Sequence, residues 1–434
     1  MHEDIEFYYS TIKQVHPRLF ARYSASEFDS LYNEIKNKCN RALSTAEFRY
    51  ILDEFNGFTD GHTQVIMGWR FSDQIFPWVN CIDDKVFLKN DVLISIEGID
   101  AMDLQRKISS TISWEENPQG RMHKFNFTLN GILADYYKLK APFKCQLMDG
   151  EKGEVKDTLI HAISGEEWSL NNNPSRHPTY HKAILQPIIY EEESIAVLYY
   201  NTSDIREIPQ KIFIKAIDDF FNEVNQKGIT SLFIDVSQNG GGSDLIHHYI
   251  LKHLKYEAYQ SKTIRYSTKE GASKLYSFVE TLLSHYDKDD KNQKDSYIRM
   301  KKALKNVKKM IKRGKVERAH KTKRKKDGFE GEVFVIMGPG TYSAGNDFCE
   351  TIKLSKAGVL VGEPSGQYSP YSADCILGAL PNSKFEYACA TKYTESFPPV
   401  SPESGFLQPD IPYPLTKPLE LEDFKEIIRI SRHR

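Results

Sequence analysis

The chain is poor in the residues that build metal knuckles and disulfide frameworks. Six cysteines are spread over 434 residues and none falls in a CxxC pair. That spacing indicates neither a zinc site nor a cross-linked scaffold. No apolar run approaches the roughly 20 residues needed to cross a bilayer. The first ten residues, MHEDIEFYYS, are acidic and lack the apolar core of a signal peptide. A mature chain whose signal has been removed would read the same, so localisation stays open. Charge of one sign is also lacking. With 58 Lys and Arg against 59 Asp and Glu, the formal net charge is -1, and no global field selects a polyanionic or polycationic partner. What is present suits an ordinary globular protein: 40% apolar and 12% aromatic residues, with length enough for two or three domains.

Three textures follow one another. Residues 1–63 read as helices. IEFYYSTIKQV, SEFDSLYNEIKNKC and STAEFRYILDEF carry apolar residues three and four apart, with Ser26 and Ser44 as expected N-caps. Residues 64–185 offer strand-like pieces: TQVIM, VFLKNDVLISIEG, HKFNFTL and PFKCQLMDG. NDVLISIEGIDAMDLQRKI has the strand, turn and helix of a PDZ-like module. From about residue 186 short apolar strands (SIAVLYYN, TSLFIDV, EVFVIM, GVLVG) alternate with helical segments, which predicts an α/β domain over 186–434. A basic helical insertion is expected at about 255–328. Its residues 301–326 hold fourteen Lys and Arg and one Glu, while Leu304, Val307, Met310 and Ile311 share a helical face. The plain reading is a docked helix with a solvated face. The alternative is a lid or a docking surface for an acidic partner. No recognised nucleic-acid motif accompanies the charge, so nucleic acid is not expected as a partner.

The segment GPGTYSAGNDF, residues 338–348, sets a serine between the apolar run EVFVIM and a helix. Gly340 to Gly345 has the spacing of a phosphate loop, but Asn346 and Asp347 stand where lysine and a hydroxyl residue are needed. TYSAG is close to the G-x-S-x-G elbow. That fold needs its histidine after the serine, and the only one there is His433, next to the end of the chain. Two readings remain: an N-cap serine, or a nucleophile whose base lies upstream. LFIDVSQNGGGSDLIHHYI also runs strand, glycine loop, helix. Gly240, Gly241 and Gly242 in succession make sense where backbone must approach a ligand closely. FNGFTDGHTQV places His62 in a polar turn.

DGHT, DVSQNGGGS, GTYSAGNDF, GVLVGEPSG and ESGFLQPDIPY occur in that order. Together they resemble the carboxy-terminal processing, or tail-specific, serine peptidase family, in its branch similar to the tricorn core. The resemblance implies a crotonase- or ClpP-like α/β catalytic domain with an N-terminal helical region and a PDZ-like β-rich module. The family pairs its serine either with a lysine or with a histidine and a glutamate. This chain has Gln367 and no lysine between Lys356 and Lys384, but does have His62 in DGHT and Glu403 shortly before the PD.

By that resemblance Ser343 is the nucleophile, His62 the base and Glu403 the orienting acid. The N–H of Ala344 and one from Gly240 or Gly241 would form the oxyanion hole. The implied activity is hydrolysis of peptide bonds through an acyl-enzyme, with no metal or organic cofactor, on peptide or unfolded protein substrates and their C-termini. Family members are often extracytoplasmic, and a homo-oligomer is compatible with the resemblance. The glycine loop departs from the pattern: Ser237 and Gln238 stand where the family usually has arginine. Two other classes stay open. One is a non-catalytic peptide- or ligand-binding member. The other is a crotonase-like acyl-thioester enzyme that needs no serine.

Overall fold

A strand pair buried on both faces is hydrophobic at every position, and Ile195–Tyr200 is such a strand, buried at all six residues. Ala196, Leu198 and Tyr200 enter one core; Ile195, Val197 and Tyr199 enter another. The computed structural model describes residues 1–66, 74–82, 84–172, 184–204, 210–286, 288–289, 294–401 and 405–433. They form two compact units. One comprises residues 1–173 and 374–391; the other comprises 174–373 and 392–434. Among the described residues no helix is long and apolar enough to cross a membrane.

The second unit is built on a six-stranded sheet. Its order is Ile411–Pro412, Val359–Gly362, Glu332–Met337, Ser231–Asp235, Ile195–Tyr200, Leu185–Tyr190. All neighbours are parallel except the last pair. Helices Gln210–Gln226, Leu245–Lys252 and Ala344–Ser355 contribute Phe213, Ile250 and Phe348 to one core. Helix Leu421–Arg432 brings Phe424 and Ile427 to the other, where Phe424 meets Phe233 with centroids 4.7 Å apart. The expected alternation of strands and helices is therefore present.

A second sheet in this unit is antiparallel, in the order Lys315–Lys321, Gln260–Tyr266, Lys392–Phe397, Tyr371–Ala373. Between its first two strands in sequence lie helices Lys269–Ser284 and Lys294–Arg313. Val307 and Met310 bury their face against Ala272 and Leu275. The apolar stripe of the basic segment is thus satisfied within the segment itself.

In the first unit, helices His2–Val15, Ala25–Lys38 and Thr45–Asp53 occupy the N-terminal region. Ser44 caps the third as expected, with Glu47 completing a capping box. The second is capped by Ser24 rather than Ser26: Ser24 accepts from the Glu27 N–H, and Glu27 returns the bond. Glu27 lies three residues after Ser24 and completes the box, whereas Asp29, three after Ser26, is held by Lys13 and the Tyr9 hydroxyl instead.

An antiparallel sheet of Asn80–Ile82, Lys85–Leu88, Asp91–Ile96, Phe143–Met148 and Val155–Ile160 follows, with Ile99–Asp100 pairing at its side. Its core joins Val86, Leu93, Ile96, Phe143 and Leu147 to Leu104, Phe125 and Leu129. HKFNFTL was expected as a strand and is instead inside helix Pro118–Gly131. Asn117 caps that helix and Pro118 occupies its first turn. These signals outweigh the short alternation of KFNFTL, and Phe125, Leu129 and Ile132 line one helical face. A small sheet, Gln64–Ile66 with Glu386–Cys389 and Ile376–Ala379, ties the DGHT region to the returning segment 374–391.

The aromatic stack at the centre of the parallel sheet gives a test. Phe233 is fully buried between Phe334, at 4.8 Å, and Phe424. Phe233→Ala should lower unfolding stability by about 3–5 kcal/mol in urea denaturation. A change below about 1 kcal/mol would contradict this packing.

Candidate active site

Ser343 stands at the N-terminus of helix Ala344–Ser355 with φ 48° and ψ -120°. An N-cap residue normally has extended backbone, as Ser24 and Ser44 do at φ -72° and -68°. Ser343 does not, and its hydroxyl caps nothing. Capping therefore does not explain this serine. A non-glycine residue at that φ is strained, and such strain is typical of the sharp strand-to-helix turn that exposes a reactive hydroxyl.

The glycine loop holds the turn from the other side. A Cβ on Gly241 would lie 2.4 Å from Ser343 Cβ, 3.0 Å from the Tyr342 carbonyl oxygen and 3.1 Å from Ala344 N. Gly241 also has φ 101°. Only glycine fits there. Gly242 is equally constrained, at φ 131° against the Ser203 backbone, whereas Gly240 has open space around its Cβ position.

Buried Asn239 organises this loop. Its Oδ1 accepts the Gly241 N–H at 3.0 Å and the Ser203 hydroxyl at 3.1 Å, while its Nδ2 donates to the Tyr200 carbonyl. The Tyr342 N–H donates to the Asn239 carbonyl at 2.9 Å. Of the two glycine N–H groups expected as oxyanion donors, that of Gly241 is thus committed to Asn239. Gly240 is exposed. The Ala344 N–H occupies the first helical position, which has no acceptor within the helix.

Gln367 supplies a contact that the sequence did not announce. Its Oε1 accepts the Ser343 N–H at 2.6 Å, and its Nε2 is buried with no hydrogen-bond partner among the described residues. Its loop is pinned to the segment just after Glu403. The Ser369 N–H donates to the Gly405 carbonyl at 2.5 Å, the Ser365 N–H to the Leu407 carbonyl at 3.0 Å, and the Leu407 N–H to Ser365 Oγ. Glu403 itself lies outside the described residues.

Along the Ser343 helix, Asp347 accepts from the Tyr371 hydroxyl at 2.9 Å. Glu350 accepts from Asn346 and from Ser369. Burial, with Asp347 adding to it, raises the Glu350 pKa. His247, on the helix after the glycine loop, stacks on Phe348 with centroids 6.0 Å apart. Burial and neighbouring His248 keep its pKa low.

His62 belongs to the first unit, where its turn is fixed by buried polar contacts. Asp60 Oδ1 accepts the His62 N–H at 2.7 Å. Asp60 Oδ2 bonds His16 Nε2. His16 Nδ1 accepts the Arg18 N–H at 3.1 Å, so the ring proton sits on Nε2 and is donated to Asp60. Burial opposes ionisation of Asp60, but its contact with His16 and the His62 N–H hold its carboxyl well below the usual range. The Gly61 N–H reaches Glu115, whose pKa burial raises. Cys375 Sγ donates to the His62 carbonyl at 3.2 Å, and the Ala390 N–H to Thr63 Oγ1 at 3.0 Å. Burial lowers the His62 pKa and Lys124 adds to it, against Asp60, Glu116 and Asp374.

The structure thus brings Ser343, Ala344, Gly240 and Gly241 together in one unit. Asn239, Gln367, His16 and Asp60 were missed by sequence reasoning as structural partners. Asp60 and Asn239 lie inside motifs already noticed, next to the residues they hold. Among the described residues no cluster of His, Cys, Asp and Glu suits a metal ion.

Residues 205–397 match the model of peptidase family S41. The chain therefore carries an S41 peptidase domain and is a serine-type peptidase, a hydrolase of peptide bonds. The family resemblance read from the five ordered motifs is borne out at that level.

Solved structures of mature CPAF share the fold. The complex with lactacystin has TM-score 0.59 at 12% identity, covering 99% of this chain and 97% of that one. A second mature CPAF structure has TM-score 0.58 at 12% identity, covering 99% and 96%. A photosystem II D1 C-terminal processing protease is more distant, with TM-score 0.43 at 11% identity over 98% and 96%. Among curated proteins no sequence matches.

The two glycines give opposite expectations. Gly241→Ala should cost about 1–3 kcal/mol of stability and at least about 100-fold in reactivity toward a fluorophosphonate. Gly240→Ala keeps its N–H and clashes with nothing. It should label at close to the wild-type rate. Equal behaviour of the two variants in denaturation and labelling would contradict the geometry.

Proposed function

We propose that the protein hydrolyses peptide bonds through a Ser343–His62–Glu403 set and an acyl-enzyme. The observation that carries the reading is the Ser343 backbone, strained at φ 48° with a hydroxyl that caps nothing and a glycine backbone packed against its Cβ. In this reading Ser343 Oγ attacks the scissile carbonyl and His62 takes its proton. The developing oxyanion is received by the N–H of Ala344 and of Gly240, with Gly241 shaping the approach. Collapse expels the amine, which takes the proton back from His62. Water then repeats the sequence on the acyl-enzyme. Glu403 orients the imidazole. Gln367 fixes the Ser343 N–H and occupies the place of the lysine used in the family's other arrangement.

The same reading assigns the wider architecture. Residues 1–63 form the helical region, 64–185 a PDZ-like module, and 186–434 a crotonase- or ClpP-like catalytic domain whose segment 374–391 departs to join the first unit. The substrates are peptides or unfolded protein, including processed C-termini, and no nucleic acid is involved. Self-association of this chain fits the reading as well. It needs no cofactor.

Two expectations follow for initial rates on one peptide. Ser343→Ala and His62→Ala should each lower kcat by roughly 10^6-fold, because members of a catalytic set act as a unit. Glu403→Gln should lose about 100-fold less, since the proton acceptor remains. Near-normal turnover in His62→Ala would end this assignment of the base.

The second expectation concerns pH. The base must be neutral, and burial lowers the His62 pKa, so the neutral form persists to lower pH than in a free imidazole. Activity should fall as pH drops, with its acid limb below the ordinary value of about 6.5. A limb several units higher would point to an amine base.

A further inference from the structure

The second unit concentrates cations beside the first turn of the Ser343 helix. In the antiparallel pair of Gln260–Tyr266 with Lys315–Lys321, Arg265 lies opposite Val316, Thr263 opposite Arg318 and Ser261 opposite His320. Alternation puts Arg265, Arg318 and His320 on one face with Val316. Val316 packs against the core formed by Val307 and Met310, so helix Lys294–Arg313, which carries Arg299, covers this face.

Across the other edge of Gln260–Tyr266, Arg265 lies opposite Thr394, and Thr394 opposite Tyr371. The Tyr371 hydroxyl donates to Asp347 on the Ser343 helix. A second connection runs through the helix after the glycine loop. His247 stacks on Phe348, and the His248 ring is 4.5 Å from that of His247. Besides burial, Arg318, Lys252 and Arg299 all disfavour the charged form of His248. Arg318, Arg265 and His248 do the same to His320. The geometry agrees: Arg265 and Arg318 are diagonal neighbours on one strand face, Arg299 lies three helical turns before Met310 on the face that packs there, and Lys252 follows His248 by one turn.

Little opposes them. Asp244 approaches His248 at 3.7 Å. Glu317 points to the opposite face, where it pairs with Lys262 and Lys315. Among the described residues no carboxylate lies within ion-pair distance of Arg265, Arg299 or Arg318. Lys252 sits over the Tyr249 ring instead, 3.9 Å from its centroid. Three guanidinium groups on facing surfaces repel one another, and none has a carboxylate partner among the described residues. Their planar donor forks match a carboxylate.

We propose that Arg265, Arg299 and Arg318, with Lys252, form a subsite for a carboxylate of the peptide substrate beside the first turn of the Ser343 helix. The proposal rests on the peptidase reading for the nature of its ligand, not for its geometry. The carboxylate comes either from an Asp or Glu side chain or from the free C-terminus of the peptide.

Binding to the Ser343→Ala protein tests the subsite without requiring turnover. Three dye-labelled decapeptides are compared by fluorescence anisotropy: one with acidic side chains and an amidated end, one neutral with a free C-terminus, and one neutral and amidated. One or both carboxylate-bearing peptides should bind at least tenfold more tightly than the third, about 1.4 kcal/mol. Which of the two does so names the source. Adding Arg265→Gln and Arg318→Gln should collapse that preference, and Arg265→Lys with Arg318→Lys should restore part of it. Equal affinity for all three peptides, or a preference untouched by the glutamine changes, would overturn the proposal. If Ser343 proves not to be a nucleophile while the preference is lost in the glutamine variant, the peptidase mechanism fails and the subsite stands.

Discussion

The approach of the glycine loop to the Ser343 turn is the constraint on which the second unit's chemistry depends. Gly241 lies so near Ser343 Cβ and Ala344 N that no side chain fits between them. Two strand-to-helix turns of the parallel sheet, after Ser231–Asp235 and after Glu332–Met337, are thereby brought together at neighbouring strands. Asn239 secures the arrangement from below, through one side chain that reaches Gly241, Ser203 and Tyr200, and a carbonyl that reaches Tyr342. Cores on both faces of the sheet make these strand ends rigid. Strain at Ser343 persists because the surrounding structure over-determines it.

The first unit applies a different device to His62. Its turn is short and polar, with Asp60 and Thr63 buried and Gly61 and His62 half-buried, so its backbone groups need partners. Asp60, Glu115 and Cys375 provide them, the Ala390 N–H binds the Thr63 hydroxyl, and His16 in turn satisfies Asp60. The returning segment 374–391 is part of this support, which explains why the chain leaves its second sheet after Ala373 and rejoins it at Lys392. Burial lowers the His62 pKa and favours the neutral imidazole, the state that the base proposed for this site requires.

Much of this was legible in the sequence because it is local. The parallel strands announce themselves as apolar runs, the triple glycine announces close approach, and Ser343 stands between strand and helix. What was not legible is tertiary. Nothing in GEPSGQYSPY says that Gln367 will hold the Ser343 N–H, and nothing near His16 says that it will bond Asp60 across 44 residues. HKFNFTL was misread because a short alternation fits strand and helix alike, and the deciding Asn117 and Pro118 lie outside it. Ser24 and Ser26 each have an acidic residue three positions on, Glu27 and Asp29, so local spacing does not separate them; the choice is tertiary, because Asp29 is taken by Lys13 and the Tyr9 hydroxyl of the first helix. The residues that follow Glu403 lie beside the Gln367 loop, a long-range pairing that no local pattern announces.

The central claim is that Ser343 is an activated nucleophile. The most direct measurement is reaction of the full-length protein with a fluorophosphonate, followed by intact-mass analysis and peptide mapping of the adduct. The account predicts a single adduct, on Ser343, because labelling requires a nucleophile, a base and an oxyanion hole at one place. No adduct, or an adduct on another residue with Ser343 unmodified, would contradict it.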